Sequence, residues 1–370
     1  MSARFLTVVL ERAFNMRDGF GREIDYMRIS VIDSCNLNCY YCNPCDNNEH
    51  CHALNILSVK EVLCIVRAAT RLGIKHFRLT GGEPLLHPQL DEMVLQIKKI
   101  PGVSSVSLTT NAVLLAQHAK WLKEAGIDSI NVSLDTIDAS EYERITKKPL
   151  LEEVKHGINA AIECGIRVKI NVVLTPQTDV VALTRYVAKK GTDIRFIEMM
   201  PVGEGHTNGV EPYKKVIGTL SKLYGEPCRI NTEKTKEINS GNDKRKIPDN
   251  GPAEYYIFPE LGIRVGLIQA IHGKFCDTCN RIRVTADGRL MPCLGSSVTM
   301  DLVPDSWDFA DDVEKDFAIV RALRAAIKAK PRCHNFNDNA VTYTKTTEKK
   351  TTEIEAAEVN AARNMSRIGG

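Results

Sequence analysis

The stretch "YMRISVIDSCNLNCYYC", Tyr26 to Cys42, joins two patterns that decide the fold. Its first half alternates polar and apolar side chains, as a β-strand with one apolar face does. Its second half is C-x3-C-x2-C, formed by Cys35, Cys39 and Cys42 just after that strand. Thiolates are soft ligands that suit iron–sulfur clusters or zinc. Two arrangements stay open at this point. With Cys45 the set makes a closed four-cysteine zinc site; with three cysteines alone, a 4Fe–4S cluster keeps one iron free.

Working outward, the strand expected at Tyr26–Ile32 is the first of six. The others are expected at His76–Thr80, Ser105–Thr109, Ser129–Leu134, Arg167–Leu174 and Ile194–Met199. Helical patterns lie between them, such as "SVKEVLCIVRAATRLG" (58–73), "HAKWLKEAG" (118–126) and "LLEEVKHGINAAIECG" (150–165), each ending on a glycine suited to a helix C-terminus. Six βα units in a row predict an α/β fold with a parallel sheet. Six falls short of the eight of a closed barrel, so a partial (β/α)6 TIM-like barrel is expected, open on one side.

The strand faces carry a second message. Arg28 and Ser30 share a face, as do Arg78 and Thr80, Ser107 and Thr109, Asn131 and Ser133, and Lys169 and Asn171; Arg195 joins from the sixth strand. The opposite faces are apolar, which is what helices outside a barrel need. The polar set therefore points inward. A filled barrel carries branched apolar residues there; a basic lumen instead predicts a cavity for a ligand with an anionic part.

A second cysteine set, Cys276, Cys279 and Cys293, sits in "FCDTCNRIRVTADGRLMPCL" (275–294). Arg281 and Arg283 lie two apart on a strand, so they face the same way and suit bidentate phosphate binding. His272 would complete a Cys3His zinc site; without it, a second 4Fe–4S cluster keeps an open iron. The chain thus divides into a barrel at 1–230, a polar loop at 231–254, a second-cluster domain closing the barrel at 255–343 and a tail at 344–370.

Composition narrows the rest. Lys and Arg number 49 against 46 Asp and Glu, so only local clusters argue for an anionic ligand, and nucleic acid is not an expected partner. Twelve cysteines without a recognisable secretion signal point to a reducing, cytoplasmic setting. No apolar run reaches the roughly 18 residues that span a membrane.

The cysteine triad after the first strand, followed by "TGGEP" (80–84), resembles the radical S-adenosylmethionine (radical SAM) enzymes. More narrowly, "DGFGREIDYMRIS", "RLTGGEP", "VSLDT", "RVKINVV", "IRFIEMMPVG", "GPAEYY", the 275–294 segment, "KPRCH" and the final "IGG" resemble, in order, the GTP 3′,8-cyclase family of molybdenum cofactor biosynthesis. The resemblance implies two 4Fe–4S clusters, on Cys35, Cys39 and Cys42 and on Cys276, Cys279 and Cys293, with S-adenosylmethionine (SAM) on the first. It implies Tyr41, Gly82, Glu83, Thr109 and Ser133 as SAM contacts. It implies Arg28, Arg78, Lys169, Arg195, Arg281 and Arg283 as GTP contacts. Catalytic roles fall to the first triad, to Arg28, Arg281 and Arg283, and to the terminal Gly369 and Gly370. An electron donor, a downstream cyclic pyranopterin monophosphate synthase and a homodimer are further implications. The chain departs from the family at His76, where a lysine is usual, at Ala112, where glycine is usual, at Asn43, where methionine is common, and in its extra thiols Cys45 and Cys51.

Overall fold

The computed structural model describes residues 16–42, 55–202, 209–230, 251–296, 298–302, 312–334 and 336. Cys45, Cys51, Gly369, Gly370, most of the 231–254 loop and the 344–370 tail lie outside these. The six expected strands form as β1 (Tyr26–Ser30), β2 (His76–Thr80), β3 (Ser105–Thr110), β4 (Ser129–Ser133), β5 (Val168–Val173) and β6 (Asp193–Ile197). Each pairs in parallel with the next. Between β1 and β6 run α1 (Val59–Arg71), α2 (Leu90–Lys98), α3 (Leu115–Glu124), α4 (Ala139–Thr146), α5 (Leu151–Glu163) and α6 (Val180–Lys189). Helix α1 starts on a capping box in which Ser58 and Glu61 satisfy each other's backbone N–H groups.

The C-terminal region joins this sheet instead of packing over it. It adds β7 (Cys228–Ile230), β8 (Glu254–Ile257), β9 (Arg264–Ile268), β10 (Arg281–Val284), β11 (Arg289–Met291) and β12 (Met300–Asp301). The strand order is β12-β11-β10-β1-β2-β3-β4-β5-β6-β9-β8-β7. Strand β9 runs parallel to β6, and β10 runs parallel to β1. Among the described residues, eight parallel strands thus stand side by side, and the sheet does not close on itself. A short helix α7 (Gly218–Tyr224) precedes β7, and α8 (Asp312–Lys328) packs on α1 with an Arg71–Asp316 ion pair of 2.8 Å.

The two faces separate as the alternation requires. Ile29, Phe77, Leu79, Val106, Leu108, Ile130, Val132 and Ile170 are buried under the helices. The polar set, Ser30 excepted, lines a cavity of about 720 Å³ on the inner side. At Ala112 the turn is kept despite the side chain: its φ of 65° lies in the left-handed region, and its N–H donates to Thr110 Oγ1 at 2.9 Å. An L-residue there costs about 1 kcal/mol that glycine would avoid.

Candidate active site

The loop that carries the first triad leaves the C-terminal end of β1 and is pinned by the Gly81-Gly82-Glu83 turn after β2. Gly82 N donates to Ile32 O and Glu83 N to Ser34 O, both at 2.8 Å. A Cβ on Gly82 would lie 2.1 Å from Ser34 O, and one on Gly81 would lie 2.4 Å from Ile32 O. The glycines therefore admit the backbone that leads to the cysteines. Gly82→Ala is expected to destabilise the chain by about 3 kcal/mol in urea unfolding and to lower iron uptake at the first triad.

Glu83 is fully buried and is not among the cavity-lining residues. Its carboxylate accepts from Thr110 Oγ1 at 2.7 Å, Leu85 N at 3.0 Å and Asn111 N at 2.7 Å. Burial pushes its pKa up to about 7 against these bonds. Asn111 in turn donates to Asn36 Oδ1 at 2.7 Å and reaches Cys35 Sγ at 3.8 Å. In this structure Glu83 ties the end of β3 to the cysteine loop, a role its sequence position did not suggest.

Cys35, Cys39 and Cys42 all line the cavity, with Tyr41, Gly82, Thr109 and Ser133. Tyr41 donates its hydroxyl to Asp135, which also accepts from Val173 N at 2.7 Å. Thr109 accepts from Arg78 at 3.3 Å. Burial pushes the Cys35 thiol up to about 11 and Cys42 to about 12, and raises Cys39 as well. Such thiols give up their protons to a metal, not to water.

The second triad lies at the opposite rim. Tyr26, the first residue of β1, stands in register with Arg281 of β10, two residues after Cys279. Strand β11 runs back along β10, with Arg283 opposite Met291, so Cys293 returns toward the same rim. Burial raises Cys276. At Cys279 burial also raises, but the Lys330 ammonium and the Arg281 guanidinium outweigh it and lower the thiol. The His272 ring contacts Glu198 through Nδ1. Among the described residues, no three His, Cys, Asp or Glu side chains converge tightly enough to hold a single metal ion. Each set offers three thiolates, the soft donors that iron–sulfur clusters take.

Between the rims stands a row of guanidiniums. Arg283, Arg28 and Arg78 occupy one register across β10, β1 and β2. Burial and the neighbouring Arg283 lower Arg28 well below the ordinary arginine value. Burial and Arg281 lower Arg283 to about 10. Arg78 donates to the Tyr26 hydroxyl. Arg281, Lys169 and Arg195 line the same cavity. Arg195 Nε donates to Asn171 Oδ1 at 2.9 Å, while its buried Nη2 and the buried Asn131 Oδ1 have no hydrogen-bond partner among the described residues. Such groups call for a polar ligand. His76, on the same face, pairs its Nδ1 with Ser105 Oγ at 2.8 Å, and burial lowers it below the usual histidine value.

Asn111, Asp135, Glu198, Arg22 and Lys330 were not expected at the site from the sequence. Arg22, Asp135, Glu198 and Lys330 stand inside the recognised segments, but only the folded chain shows what each one holds.

The fold and the first cysteine site define a radical SAM enzyme. The Radical SAM superfamily pattern matches residues 29–182, and the Molybdenum Cofactor Synthesis C pattern matches residues 192–336. The chain belongs to the GTP 3′,8-cyclase family. It is 35% identical over 324 residues to the GTP 3′,8-cyclase of Clostridium perfringens (strain SM101), covering 87% of this chain and 95% of the relative. It is 36% identical over 327 residues to that of Pelotomaculum thermopropionicum, covering 86% and 95%. The solved structure of Streptococcus suis SuiB bound to S-adenosylmethionine shares the fold, with a TM-score of 0.55 at 14% identity over 82% of this chain and 68% of that chain. The AdoMet-bound anSMEcpe structure does so with a TM-score of 0.50 at 18% identity over 72% and 74%.

Proposed function

We propose that the chain converts GTP to 3′,8-cyclo-7,8-dihydroguanosine 5′-triphosphate, the first step of molybdenum cofactor biosynthesis. One observation carries this reading: both cysteine triads and the arginine row line a single cavity. Cys35, Cys39 and Cys42 would hold a 4Fe–4S cluster, which with SAM would supply one-electron radical chemistry directed at the ribose 3′ hydrogen. The chain's own part is placement. Arg28, Arg78, Lys169, Arg195, Arg281 and Arg283 hold the triphosphate. Tyr41, Gly82, Thr109 and Ser133 on the cavity wall, with Glu83 behind them, would make the SAM site. Cys276, Cys279 and Cys293 would hold a second cluster, which would supply a binding site for the guanine base.

The family resemblance supports a cytoplasmic homodimer, an external electron donor and hand-over of product to cyclic pyranopterin monophosphate synthase. Gly369 and Gly370 carry the expectation of a tail entering the cavity. Among the described residues no helix is long and apolar enough to cross a membrane. The test is anaerobic reconstitution. About eight iron and eight sulfide per chain, with a new isomer of GTP formed on adding dithionite, SAM and GTP, support the reading; zinc in place of iron and sulfide refutes it.

His76 gives this chain its own pH dependence. Neutral near pH 7, it adds no charge to the cavity until protonated. An incoming triphosphate favours the protonated ring, so its contribution to binding is lost as pH rises. His76→Lys is expected to bind GTP about 10-fold more tightly than wild type near pH 8, with a smaller difference near pH 5.5, where more of the wild-type ring is protonated. Titration calorimetry at both pH values checks this, and comparing the two proteins at each pH cancels the ionisation of GTP itself.

A further inference from the structure

Lys330, Pro331 and Arg332 form a short strap after α8, and two buried cations use it to hold the second triad from both sides. The Lys330 side chain, 3% exposed as a residue, donates to Arg281 O at 2.8 Å and to Pro292 O at 2.9 Å. These carbonyls belong to the residue two after Cys279 and the residue just before Cys293. One ammonium therefore spans the neck of the β10–β11 hairpin and sets the separation of two cysteines that are fourteen apart in sequence. Lys330 lines the same cavity as the three cysteines.

Arg22 completes the grip from the N-terminal side. Its Nη1 donates to Cys276 O at 2.6 Å and to Arg332 O at 2.9 Å, and its Nη2 donates to Pro331 O at 2.6 Å. The guanidinium is aimed by Asp18, whose buried carboxylate accepts from Nε at 2.5 Å. All three cysteines are thus held through backbone carbonyls by two cations that share one strap.

We propose that Lys330 and Arg22 are positioning residues for the second cluster: together they hold Cys276, Cys279 and Cys293 at cluster spacing, and the Lys330 ammonium keeps a positive charge beside it. This rests on the two-cluster reading above. Neither side chain is an iron ligand. Charged donors to buried carbonyls are among the stronger hydrogen bonds, and removing one leaves the carbonyls without a partner. A fixed cation near a cluster favours its reduced form.

The test uses the full chain, reconstituted anaerobically as wild type, Lys330→Met, Lys330→Arg and Arg22→Gln. Wild type is expected to hold about eight iron, Lys330→Met about four, and Lys330→Arg to recover most of the loss. The first cluster serves as the folding control, through the change in its EPR signal on adding SAM, which each variant should keep. Arg22→Gln is expected to retain part of the second cluster, with an EPR signal that GTP no longer perturbs. Whatever second cluster Lys330→Met retains should have a lower reduction potential, which loss of packing alone would not produce. If Lys330→Met and Arg22→Gln both hold about eight iron with wild-type EPR signals and potentials, the proposal is wrong. A wild-type chain that stops at about four iron overturns the two-cluster reading first, and the clasp with it.

Discussion

Replacing Arg28 with methionine is expected to weaken GTP binding by about 100-fold or more while leaving the ligand-free chain no less stable. The asymmetry follows from the register. Arg28 sits on β1 between Arg283 on β10 and Arg78 on β2. Burial and the adjacent guanidinium both work against its charge. Such a residue is poorly explained as a stabiliser of the fold, because an apolar side chain of similar length would fill the space without a desolvation cost. It is well explained as one member of a polyanion site, where losing one charged contact to a buried phosphate costs about 3 kcal/mol. Equilibrium binding of GTP, paired with thermal melting of the ligand-free protein, separates the two roles. A melting point that falls sharply while affinity is kept would assign Arg28 to the fold instead.

The second large effect is at Cys42. Cys42→Ala is expected to abolish SAM cleavage, by at least about 1,000-fold, while iron falls to about four per chain and GTP binding stays within a few-fold of wild type. The cysteine loop and the arginine row hang on different parts of the sheet. The loop follows the C-terminal end of β1 and is pinned through Gly82 and Asn111. The row lies along β10, β1 and β2. Removing one thiol should therefore silence one rim of the cavity without dismantling the other. Assay of 5′-deoxyadenosine, iron analysis and GTP binding on one preparation test this together.

Strand periodicity made the inner face legible. Arg28, Arg78, Lys169 and Arg195 were placed in the lumen from their spacing alone, and they line it. The edges were not legible. Strands β9 and β10 are short, and their partners β6 and β1 lie far away in sequence, so no local pattern announces that the C-terminal region extends the same sheet on both sides. The glycines at 81 and 82 signalled close approach, but not that the approaching group is the chain's own Ile32–Ser34 backbone. Glu83 offered a carboxylate; only folding shows both of its oxygens engaged by Thr110, Leu85 and Asn111. His272 stood near the second triad in sequence; only folding shows its Nδ1 against Glu198, just after β6. In each case the missing information was a partner distant in sequence, which composition and spacing do not encode.

The central claim is that one cavity holds GTP where a radical formed at the first triad takes the hydrogen on its ribose 3′ carbon. The most direct measurement uses GTP carrying deuterium at that carbon, with reconstituted protein, SAM and dithionite. The expected result is 5′-deoxyadenosine that carries one deuterium and forms only when GTP is present. Cleavage of SAM with no deuterium transferred from that position would contradict the account.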